Sequence, residues 1–534
     1  MIPFSRYPGL SPLFHDFLAG LPEFFPDPPT IDAAAERGRE LLAKGARARV
    51  PASAFRHRGP EAAKMAEDLA AGRAVAVSTG QQVGLFTGPA FTLMKALDTI
   101  RIASELSRRG VPAVPVFWAL TDDHDLQEIA RTARPTHEGP EELVLEGADR
   151  QNRQPVGRLR IPERVREILD AFKDDPQHTH ADADRILAEF AARSAPGTPY
   201  GEAFIETLLD LVGPDPLLVL DPLDPAVRPA TVEFFLMAAE KADAIEATLR
   251  ETVARLERAG KPVPAPLPDG FSFFLIDAQG RRRATNVADA VERVRSGEAL
   301  PSGDVITRPV LKSYLIPMAA SVLGAAEIAY HAQSLPIFRL LGITPPVLIP
   351  RTHIVARGPG ERRLAEQLQL SDEDLLQLPA SAAPASVPQA DAVARLSEAT
   401  TRELARLGPE LEQLDATLAG ALENASKKIS YQFEQLAERA RKAAERKGDV
   451  NTNRRKRLSR ALLPSLDSIP AERVYTPLSA MLAFGKTDVL DAFRRVAGTG
   501  AAGAAFVDLG LTEAEKAAGP GKEETGKKED AHAR

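Results

Sequence analysis

A glycine-rich segment, residues 74–89, constrains the fold of this chain more than any other feature. It reads AVAVSTGQQVGLFTGP, and its first four residues have the small and β-branched side chains of a buried strand. Three glycines spaced four residues apart then indicate a loop in which the backbone approaches another group closely. Pro89 suits the first turn of a helix, which apolar spacing extends to about Arg109. A second apolar run, 111–120, completes a strand–loop–helix–strand unit and predicts an α/β fold with a parallel sheet.

The polar residues of this loop lie where parallel sheets bind ligands, beyond the carboxyl ends of the strands. The glycine spacing matches neither the dinucleotide fingerprint nor a P-loop, because no Gly-Lys-Ser/Thr sequence follows. Backbone amides at a helix N-terminus nevertheless favour phosphate or carboxylate groups. We therefore predict an anion-binding loop formed by Thr79, Gly80, Gln81, Gln82, Gly84 and Gly88. A tight turn with polar residues facing water is the alternative, and we expect Lys95 in the next helix to be solvated, although it could reach a bound anion.

An acidic cluster follows the second strand. Asp122, Asp123, His124 and Asp125 crowd three carboxylates and an imidazole into four residues. Like charges at this spacing raise the pKa of at least one carboxyl group and help the imidazole to hold a proton near neutrality. We predict that these four residues are catalytic, as a general base or an ammonium-binding site. An acidic helix N-cap and a divalent metal site are the alternatives, and we predict no metal.

The second half of the chain supplies further polar residues. A helix is predicted over 325–341, and a short strand over 346–349 should deliver Arg351 and His353 to the same rim. Glu327, Tyr330 and Gln333 place a carboxylate, a phenol and an amide on one side of that helix. This set suits recognition of a polar substrate, and ordinary hydrogen bonds at a helix edge are the alternative. Arg351 suits a phosphate or carboxylate clamp. The predicted binding residues here are Arg308, at the end of a predicted strand, Glu327, Tyr330, Gln333 and Arg351.

Composition excludes several classes of protein. At 534 residues the chain is too long for one compact core. It has no cysteine, so disulfides and a cysteine nucleophile are excluded. A net charge of −7 argues against nucleic-acid binding. No apolar stretch reaches the length of a membrane span and the first residues lack a secretory pattern, so we expect a cytoplasmic protein without a membrane partner.

A long helical region begins after an Ala/Pro/Ser-rich linker at 379–388. From Leu396 to Ala440, apolar residues recur mostly at alternating gaps of three and four, which predicts a coiled coil and a homodimer formed through it. Gly408-Pro409 should kink or restart the helix. The basic stretch 439–460 is predicted to be a solvated face, with contact to a nucleotide phosphate from a dimer partner as the alternative.

Three long runs carry a resemblance to a known family. STGQQVGLFTGPAFTLMKALDTI, VPVFWALTDDHDLQEI and ITRPVLKSYLIP, followed by GAAEIAYHAQ, resemble the bacillithiol biosynthesis cysteine-adding enzymes (BshC), the cysteine ligases. The likeness extends from FSRYPGLSPLFHDFLAG near the N-terminus to about Gly485. It implies a Rossmann-like core, similar to class I aminoacyl-tRNA synthetases, that is interrupted by connective peptides. It also implies that the protein joins the cysteine carboxyl to the amino group of glucosaminyl-malate, with ATP as the activating nucleotide.

The chain departs from the family pattern at three places. Asp122 stands where the family favours glutamate, Ala325-Ala326 replaces Pro-Gly before Glu327, and Glu472-Arg473 lacks the preceding Leu-Gln. The changes at Asp122 and at Ala325-Ala326 bear on substrate identity. A related nucleotide-dependent transferase or ligase acting on another amino acid or amino sugar, and an inactive coiled-coil scaffold, are therefore kept as alternatives.

The predicted organisation has six segments. They are the first half of the core (1–134), a connective-peptide insertion (135–303), the second half of the core (304–378), the coiled coil (379–463), a segment returning to the core (464–511) and a disordered tail (512–534).

Overall fold

A computed structural model describes residues 2–7, 9–136, 139–145, 153–175, 178–267, 272–378, 388–415, 417–447, 450–464, 471–498 and 503–511. The predicted disordered tail lies outside these residues. The described residues form two compact units, one within 1–135, 141–363 and 472–534 and the other within 136–140 and 364–471. None of the helices in these ranges combines the length and apolar character needed to cross a membrane.

The secondary structure of the described residues is mixed. The strands are β1 (Ile2–Pro3), β2 (Phe55–Arg56), β3 (Val75–Gln82), β4 (Ala113–Leu120), β5 (Arg131–Thr136), β6 (Gly139–Val144), β7 (Leu218–Leu220), β8 (Ser272–Ile276), β9 (Arg282–Asn286), β10 (Leu300–Ser302), β11 (Met318–Leu323), β12 (Val347–Pro350), β13 (His353–Arg357) and β14 (Gly503–Asp508). The helices are α1 (Pro12–Leu18), α2 (Ile31–Ala43), α3 (Gly59–Ala70), α4 (Ala90–Arg108), α5 (Leu126–Ile129), α6 (Val165–Lys173), α7 (Ala183–Arg193), α8 (Tyr200–Val212), α9 (Arg228–Ala239), α10 (Ala242–Arg258), α11 (Val287–Arg295), α12 (Arg308–Leu315), α13 (Ala325–Leu341), α14 (Pro359–Gln367), α15 (Asp372–Leu376), α16 (Pro388–Leu414), α17 (Thr417–Lys447), α18 (Val450–Leu462), α19 (Pro477–Phe484) and α20 (Lys486–Val496).

A six-stranded sheet of order β12-β11-β3-β4-β7-β2 forms the core of the first unit. Its first five strands are parallel, and β2 closes the edge antiparallel to β7. The chain proceeds from β3 outward to β4 and β7, then returns to the other side of β3 for β11 and β12. The prediction of a Rossmann-like parallel sheet is therefore confirmed, and the strand order reverses between β3 and β11. Strand β7 lies within 135–303, so the segment predicted as an insertion also contributes to the core sheet.

Buried apolar side chains hold this sheet. Val75 and Val77 of β3 belong to one buried cluster with Val322 of β11, Leu41 of α2 and Ile102 of α4. Burying a side chain of this size contributes about 1.5–3 kcal/mol. The strands are therefore fixed against the helices, and the residues at their carboxyl ends take fixed positions.

The glycine-rich segment folds differently from its prediction. The strand β3 continues to Gln82, because residues 75–82 all pair with β4, and Gly80 is therefore a strand residue rather than part of the loop. A Cβ at Gly80 would lie 2.9 Å from the Trp118 carbonyl oxygen. A Cβ at Gly84 would lie 2.8 Å from Gly88 Cα. These glycines allow close packing of the backbone on itself.

Smaller sheets surround the core. They have the orders β1-β14-β13, β10-β8-β9 and β5-β6. Strands β8 and β9 pair antiparallel as a hairpin that turns at Gln279-Gly280. Helices α12 and α13 follow β10 and β11, and α13 has the predicted bounds.

The second unit contains the long helices. Thr401 Oγ1 of α16 lies 3.3 Å from Ser430 Oγ of α17, and these helices pack along each other as an antiparallel hairpin. The coiled-coil prediction is confirmed. Part of the predicted apolar seam packs between α16 and α17 of the same chain. Of the two outcomes predicted at Gly408-Pro409, a kink or a restart, the restart does not occur there, because α16 continues through Pro409 to Leu414 and α17 begins at Thr417.

Candidate active site

A cavity of about 850 Å³ lies in the first unit, where the strand order reverses between β3 and β11. Crevices at this position of open parallel sheets are their usual ligand sites, and this volume is that of a small-molecule pocket. Five cations and four carboxylates line it: Lys95, Arg282, Arg308, Arg351, Arg473, Asp123, Glu128, Asp304 and Glu327. The cavity is therefore suited to a polar ligand with groups of both charges.

Lys95 and Glu327 form a buried ion pair in the cavity wall. The Lys95 side chain is only 1% exposed, and its Nζ lies 2.5 Å from Glu327 Oε2. Lys95 also donates to the Gly80 carbonyl at 3.0 Å and to Gln81 Oε1 at 2.8 Å. The prediction that Lys95 is solvated is wrong, because the helix face that carries it packs over the ends of the strands. Burial alone would raise the pKa of Glu327, but Lys95 and the Gly324 amide hold this pKa below its ordinary value, so Glu327 is a fixed negative charge.

Asp123 is the second fixed carboxylate. Its oxygens accept hydrogen bonds from Gln82 Nε2 at 3.2 Å, Arg308 Nη2 at 3.2 Å and Arg282 Nη1 at 3.4 Å. Burial alone would raise the pKa of Asp123, but the hydrogen bond with His124 and the two guanidinium charges hold this pKa well below its usual range. Crowding was expected to raise a carboxyl pKa in this cluster, and for Asp123 the arginines reverse that effect.

The remaining three residues of the acidic cluster lie outside the cavity lining. Asp122 is buried and accepts a 2.6 Å hydrogen bond from Ser302 Oγ. Asp125 is the N-cap of α5 and accepts from the Glu128 amide at 3.2 Å, which is the capping alternative considered from sequence. The catalytic role predicted for these residues stays a prediction.

His124 faces two arginines. Its Nδ1 lies 2.8 Å from Arg282 Nη1 and its Nε2 lies 3.2 Å from Arg153 Nη2. A neutral imidazole can accept a hydrogen bond at only one of these nitrogens. In this arrangement, His124 helps to position Arg282, whose other nitrogens donate to Ser302 Oγ and the Gly303 carbonyl.

Glu128 and Asp304 are the cavity carboxylates that the sequence analysis did not select, and Glu128 has the environment of a base. It is exposed at the mouth of the cavity, yet desolvation by the surrounding protein raises the pKa of its carboxyl, and the carboxylates of Asp125 and Asp123 raise this pKa further. One sequence pattern could have identified Glu128. The Asp125-x-x-Glu128 spacing is that of an N-cap and its third helical residue, which brings both side chains to one helix end.

Helix α13 brings two of its three predicted residues to the cavity. Glu327 and Tyr330 line it, and burial raises the pKa of the Tyr330 phenol, which keeps it protonated. Gln333 is fully buried and instead binds the backbone of Ala265, donating to its carbonyl at 2.8 Å and accepting from its amide at 2.9 Å. Gln333 thereby fixes the segment that carries the lining residues Pro266 and Leu267.

Arg351 follows β12 and lines the cavity, and a buried ion pair with Glu472 fixes its guanidinium group. Its Nη1 donates to Glu472 Oε1 at 2.9 Å, and both side chains are almost fully buried. Asp98 of α4 accepts from the amide and the hydroxyl of Thr352, and burial raises the pKa of Asp98 to about 6. His353 is buried outside the cavity lining, contrary to the prediction that it reaches the rim with Arg351.

Two arginines of the cavity offer donors that no described residue uses. Arg308 Nε is buried without a hydrogen-bond partner, and Arg473 lines the cavity without a hydrogen bond or ion pair in the described part of the chain. Arg308 was predicted at a strand end but begins α12, with Pro309 in the first helical turn, where proline is favoured. These free donors indicate that the cavity accepts an anionic group.

Only three of the six residues predicted to form the anion-binding loop line the cavity. Gly80, Gln81 and Gln82 line the cavity, whereas Thr79, Gly84 and Gly88 do not. The Thr79 hydroxyl donates to the Val322 carbonyl at 2.8 Å and so ties β3 to β11. Across the described residues, no three His, Asp or Glu side chains are grouped to hold a metal ion.

Fold and cavity together define a protein with a Rossmann-like core, a charged ligand crevice at its topological switch point and a helical coiled coil. The family model described as "Bacillithiol biosynthesis BshC, N-terminal Rossmann-like domain" matches residues 30–352, and "Bacillithiol biosynthesis BshC, C-terminal coiled-coil domain" matches residues 362–493. The chain belongs to the BshC family of bacillithiol biosynthesis.

Curated relatives share most of the length of this chain. A protein of Solibacter usitatus is 30% identical over 438 residues, covering 78% of this chain and 80% of the relative. A protein of Koribacter versatilis is 29% identical over 530 residues, covering 93% of this chain and 97% of the relative. One from Geobacillus thermodenitrificans is 27% identical over 433 residues, covering 75% and 78%. Each carries the name "Putative cysteine ligase BshC".

Proposed function

We propose that this protein is a ligase that joins the carboxyl group of L-cysteine to the amino group of glucosaminyl-malate, forming the amide of bacillithiol. The observation that carries the proposal is the cavity itself. It combines arginines with unused donors and a carboxylate of raised pKa in one crevice. The names of the relatives and the family support the reaction class.

The cations of the cavity suit the anionic parts of these substrates. Cysteine has one carboxylate and the malyl group has two, and guanidinium groups bind carboxylates through paired hydrogen bonds. Arg308 pairs with Asp123 through Nη2 but keeps its Nε donor unused, and Arg473 makes no ion pair with a described residue, so both have donors to spare. Arg308 and Arg473 would therefore hold an added anion with the least rearrangement.

The amino group of glucosaminyl-malate must lose a proton before it can attack a carboxyl carbon. Asp123 and Glu327 are unsuited to accept that proton, because neighbouring cations stabilise their ionised forms. No cation of the described residues lies within ion-pair distance of Glu128, and its raised pKa makes it the stronger base. We assign Glu128 the role of binding the substrate ammonium group and accepting its proton.

ATP is the proposed activating nucleotide, because amide formation from a free carboxylate in water is unfavourable and ATP would supply that driving force. The residues of the cavity fit a phosphate group through the unused donors of Arg308 and Arg473. The proposed site is in the cavity, not at the loop containing Gly84 and Gly88. The cytoplasmic location expected from sequence stays a prediction.

The reaction is tested directly with the purified protein. L-Cysteine and glucosaminyl-malate should give a product of the mass of bacillithiol only when ATP is present, measured by mass spectrometry. Cells that lack the protein should lose bacillithiol and accumulate glucosaminyl-malate. Product from serine or another amino sugar, with none from these substrates, would establish the alternative of a related ligase with different substrates.

We also propose that the protein is a homodimer through α16 and α17. Leu396, Leu407, Leu414 and Leu436 remain 56%, 46%, 79% and 52% exposed in the single chain. Apolar side chains repeated along a helical hairpin favour association with a second copy. Light scattering at micromolar concentration should give the dimer mass, and Leu414→Lys with Leu436→Lys should give the monomer mass. Asn424→Lys adds one lysine at an exposed polar position of α17 and should leave a dimer. A monomeric wild-type protein would contradict the proposal.

A further inference from the structure

A second, smaller chamber of about 50 Å³ adjoins the cavity. The two share wall residues, among them Gly80, Arg308 and Tyr330. Trp118 and Lys312 line only the smaller chamber. This small volume suits a short side chain better than a long one.

The polar groups of this chamber have unused hydrogen-bonding capacity. Trp118 is 1% exposed, and its Nε1 is a buried donor without a partner among the described residues. Lys312 Nζ donates to one acceptor, the Thr79 carbonyl at 3.2 Å, whereas Lys95 has three. The buried Ser321 hydroxyl is a further polar group of this wall. A buried donor left without an acceptor is destabilising, so an occupant that accepts a hydrogen bond from Trp118 would be stabilised.

His331 adds an acceptor. Its Nδ1 lies 2.8 Å from the Glu327 carbonyl oxygen and therefore carries the proton that it donates there. Burial lowers the pKa of His331 to about 4, which keeps the ring neutral and leaves Nε2 as a lone-pair acceptor. Burial likewise lowers the pKa of Lys312 to about 7, so its amine can also accept a proton near neutral pH.

We infer that this chamber binds the side-chain thiol of the amino-acid substrate. The inference rests on the proposed function, because the thiol belongs to the cysteine that the ligase would use. A thiol is both a weak donor and a weak acceptor, which matches the Trp118 donor and the His331 acceptor. The remaining wall contains Met318 and Leu323, and sulfur is polarizable enough to pack against such apolar groups.

The same walls discriminate against related amino acids. The hydroxyl group of serine is more strongly hydrated than a thiol, and it would lose water to enter a wall that is partly apolar. The methyl group of 2-aminobutyrate would leave the Trp118 donor unpaired. Methionine is too long for the volume. Cysteine is the amino acid whose side chain meets all three conditions.

Trp118 provides a local probe, because it is the only tryptophan in the chain. Titration of the wild-type protein with L-cysteine, with and without ATP, should change its fluorescence in a saturable way. Serine and 2-aminobutyrate should bind about tenfold or more weakly, as measured by calorimetry. Binding of cysteine with no change in Trp118 fluorescence would overturn the inference.

Two variants test the chamber itself. Trp118→Phe replaces the indole by a smaller aromatic ring without the Nε1 donor, and Ser321→Ala is the milder second variant if the first fails to fold by circular dichroism. Either should lower cysteine affinity by severalfold, and each should reduce the preference for cysteine over 2-aminobutyrate. Lys64→Met, at an exposed position of α3, is the control and should bind cysteine as the wild type does.

The outcomes separate this inference from the proposed function. The folded variants could bind cysteine as tightly as the wild type does, with the same preference over 2-aminobutyrate. This result would show that the chamber holds only water. It would overturn the inference and leave the proposed function standing. Cysteine binding in the chamber without any ligation product would support the inference and contradict the proposed function. A wild-type protein that binds no amino acid under either condition would overturn both.

Discussion

Replacing Glu472 by glutamine should destabilise the core unit by about 3–5 kcal/mol, the usual cost of removing one partner of a buried ion pair. Glu472 accepts from Arg351 Nη1 at 2.9 Å and from the Ile354 amide at 2.8 Å, and its side chain is 1% exposed. Glutamine keeps the size of the side chain but removes its charge. Arg351 would then remain buried without the carboxylate that balances its guanidinium.

No nearby histidine can replace the lost interaction. His353 Nδ1 lies 3.9 Å from Glu472 Oε1, but burial lowers the pKa of His353 well below its ordinary value and keeps it neutral. Arg351 is therefore the only cation of the described residues within ion-pair distance of Glu472. Glu472→Gln should mainly lower the free energy of unfolding. It should also weaken substrate binding, because Arg351 lines the cavity.

Urea unfolding followed by Trp118 fluorescence measures this cost in the core sheet. Glu40→Gln is the control, because Glu40 pairs with Arg37 and Lys44 at the surface and should cost about 1 kcal/mol or less. The double variant Arg351→Met, Glu472→Leu should recover much of the stability, since apolar residues often replace a buried pair at little cost. A loss below about 1 kcal/mol in Glu472→Gln would contradict the importance of the pair.

The parallel core could be predicted because its signals are local. Residues 75–77 and 113–120 are apolar and rich in Val and Phe, and α13 lies between Gly324 and Gly342, which favour helix ends. The end of β3 was predicted too early, at 77, because glycine at position 80 resembles the start of a loop. Pairing with β4 over eight residues outweighs the low strand preference of one glycine.

The cavity was only partly predictable, because several of its residues come from distant segments. Arg282 lies on a hairpin about 160 residues from Asp123, and no local pattern distinguishes it from Arg281 and Arg283. Lys95 is on a helix whose burial depends on packing across the sheet. Sequence periodicity identifies which helix face is apolar, but it does not show which charged residues the rest of the fold covers.

Replacing Glu128 by glutamine should lower kcat for cysteine ligation by about 10²–10⁴-fold and leave the fold intact, because general base catalysis contributes about this much. Glu128 is exposed at the cavity mouth, so its loss should not shift the melting temperature appreciably. The substrate ammonium would lose both its carboxylate partner and the acceptor for its proton.

The pH dependence gives a second measurement. A base must be ionised to act, so activity should fall as pH decreases through the pKa of Glu128, which lies above the value of an ordinary glutamate. This acid limb should be absent in Glu128→Gln. Asp125→Asn keeps an N-cap side chain but removes a negative charge that raises the pKa of Glu128, so it should move the acid limb to lower pH.

His124→Asn distinguishes this assignment from the one that the sequence favoured. His124 lies beside Arg282 and outside the cavity lining, so its replacement should weaken substrate binding through Arg282 and change kcat less than Glu128→Gln does. If His124→Asn abolished turnover with an unchanged melting temperature while Glu128→Gln remained active, the base would be His124. An acid limb that persisted in Glu128→Gln would likewise assign the proton acceptor to another group of the cavity.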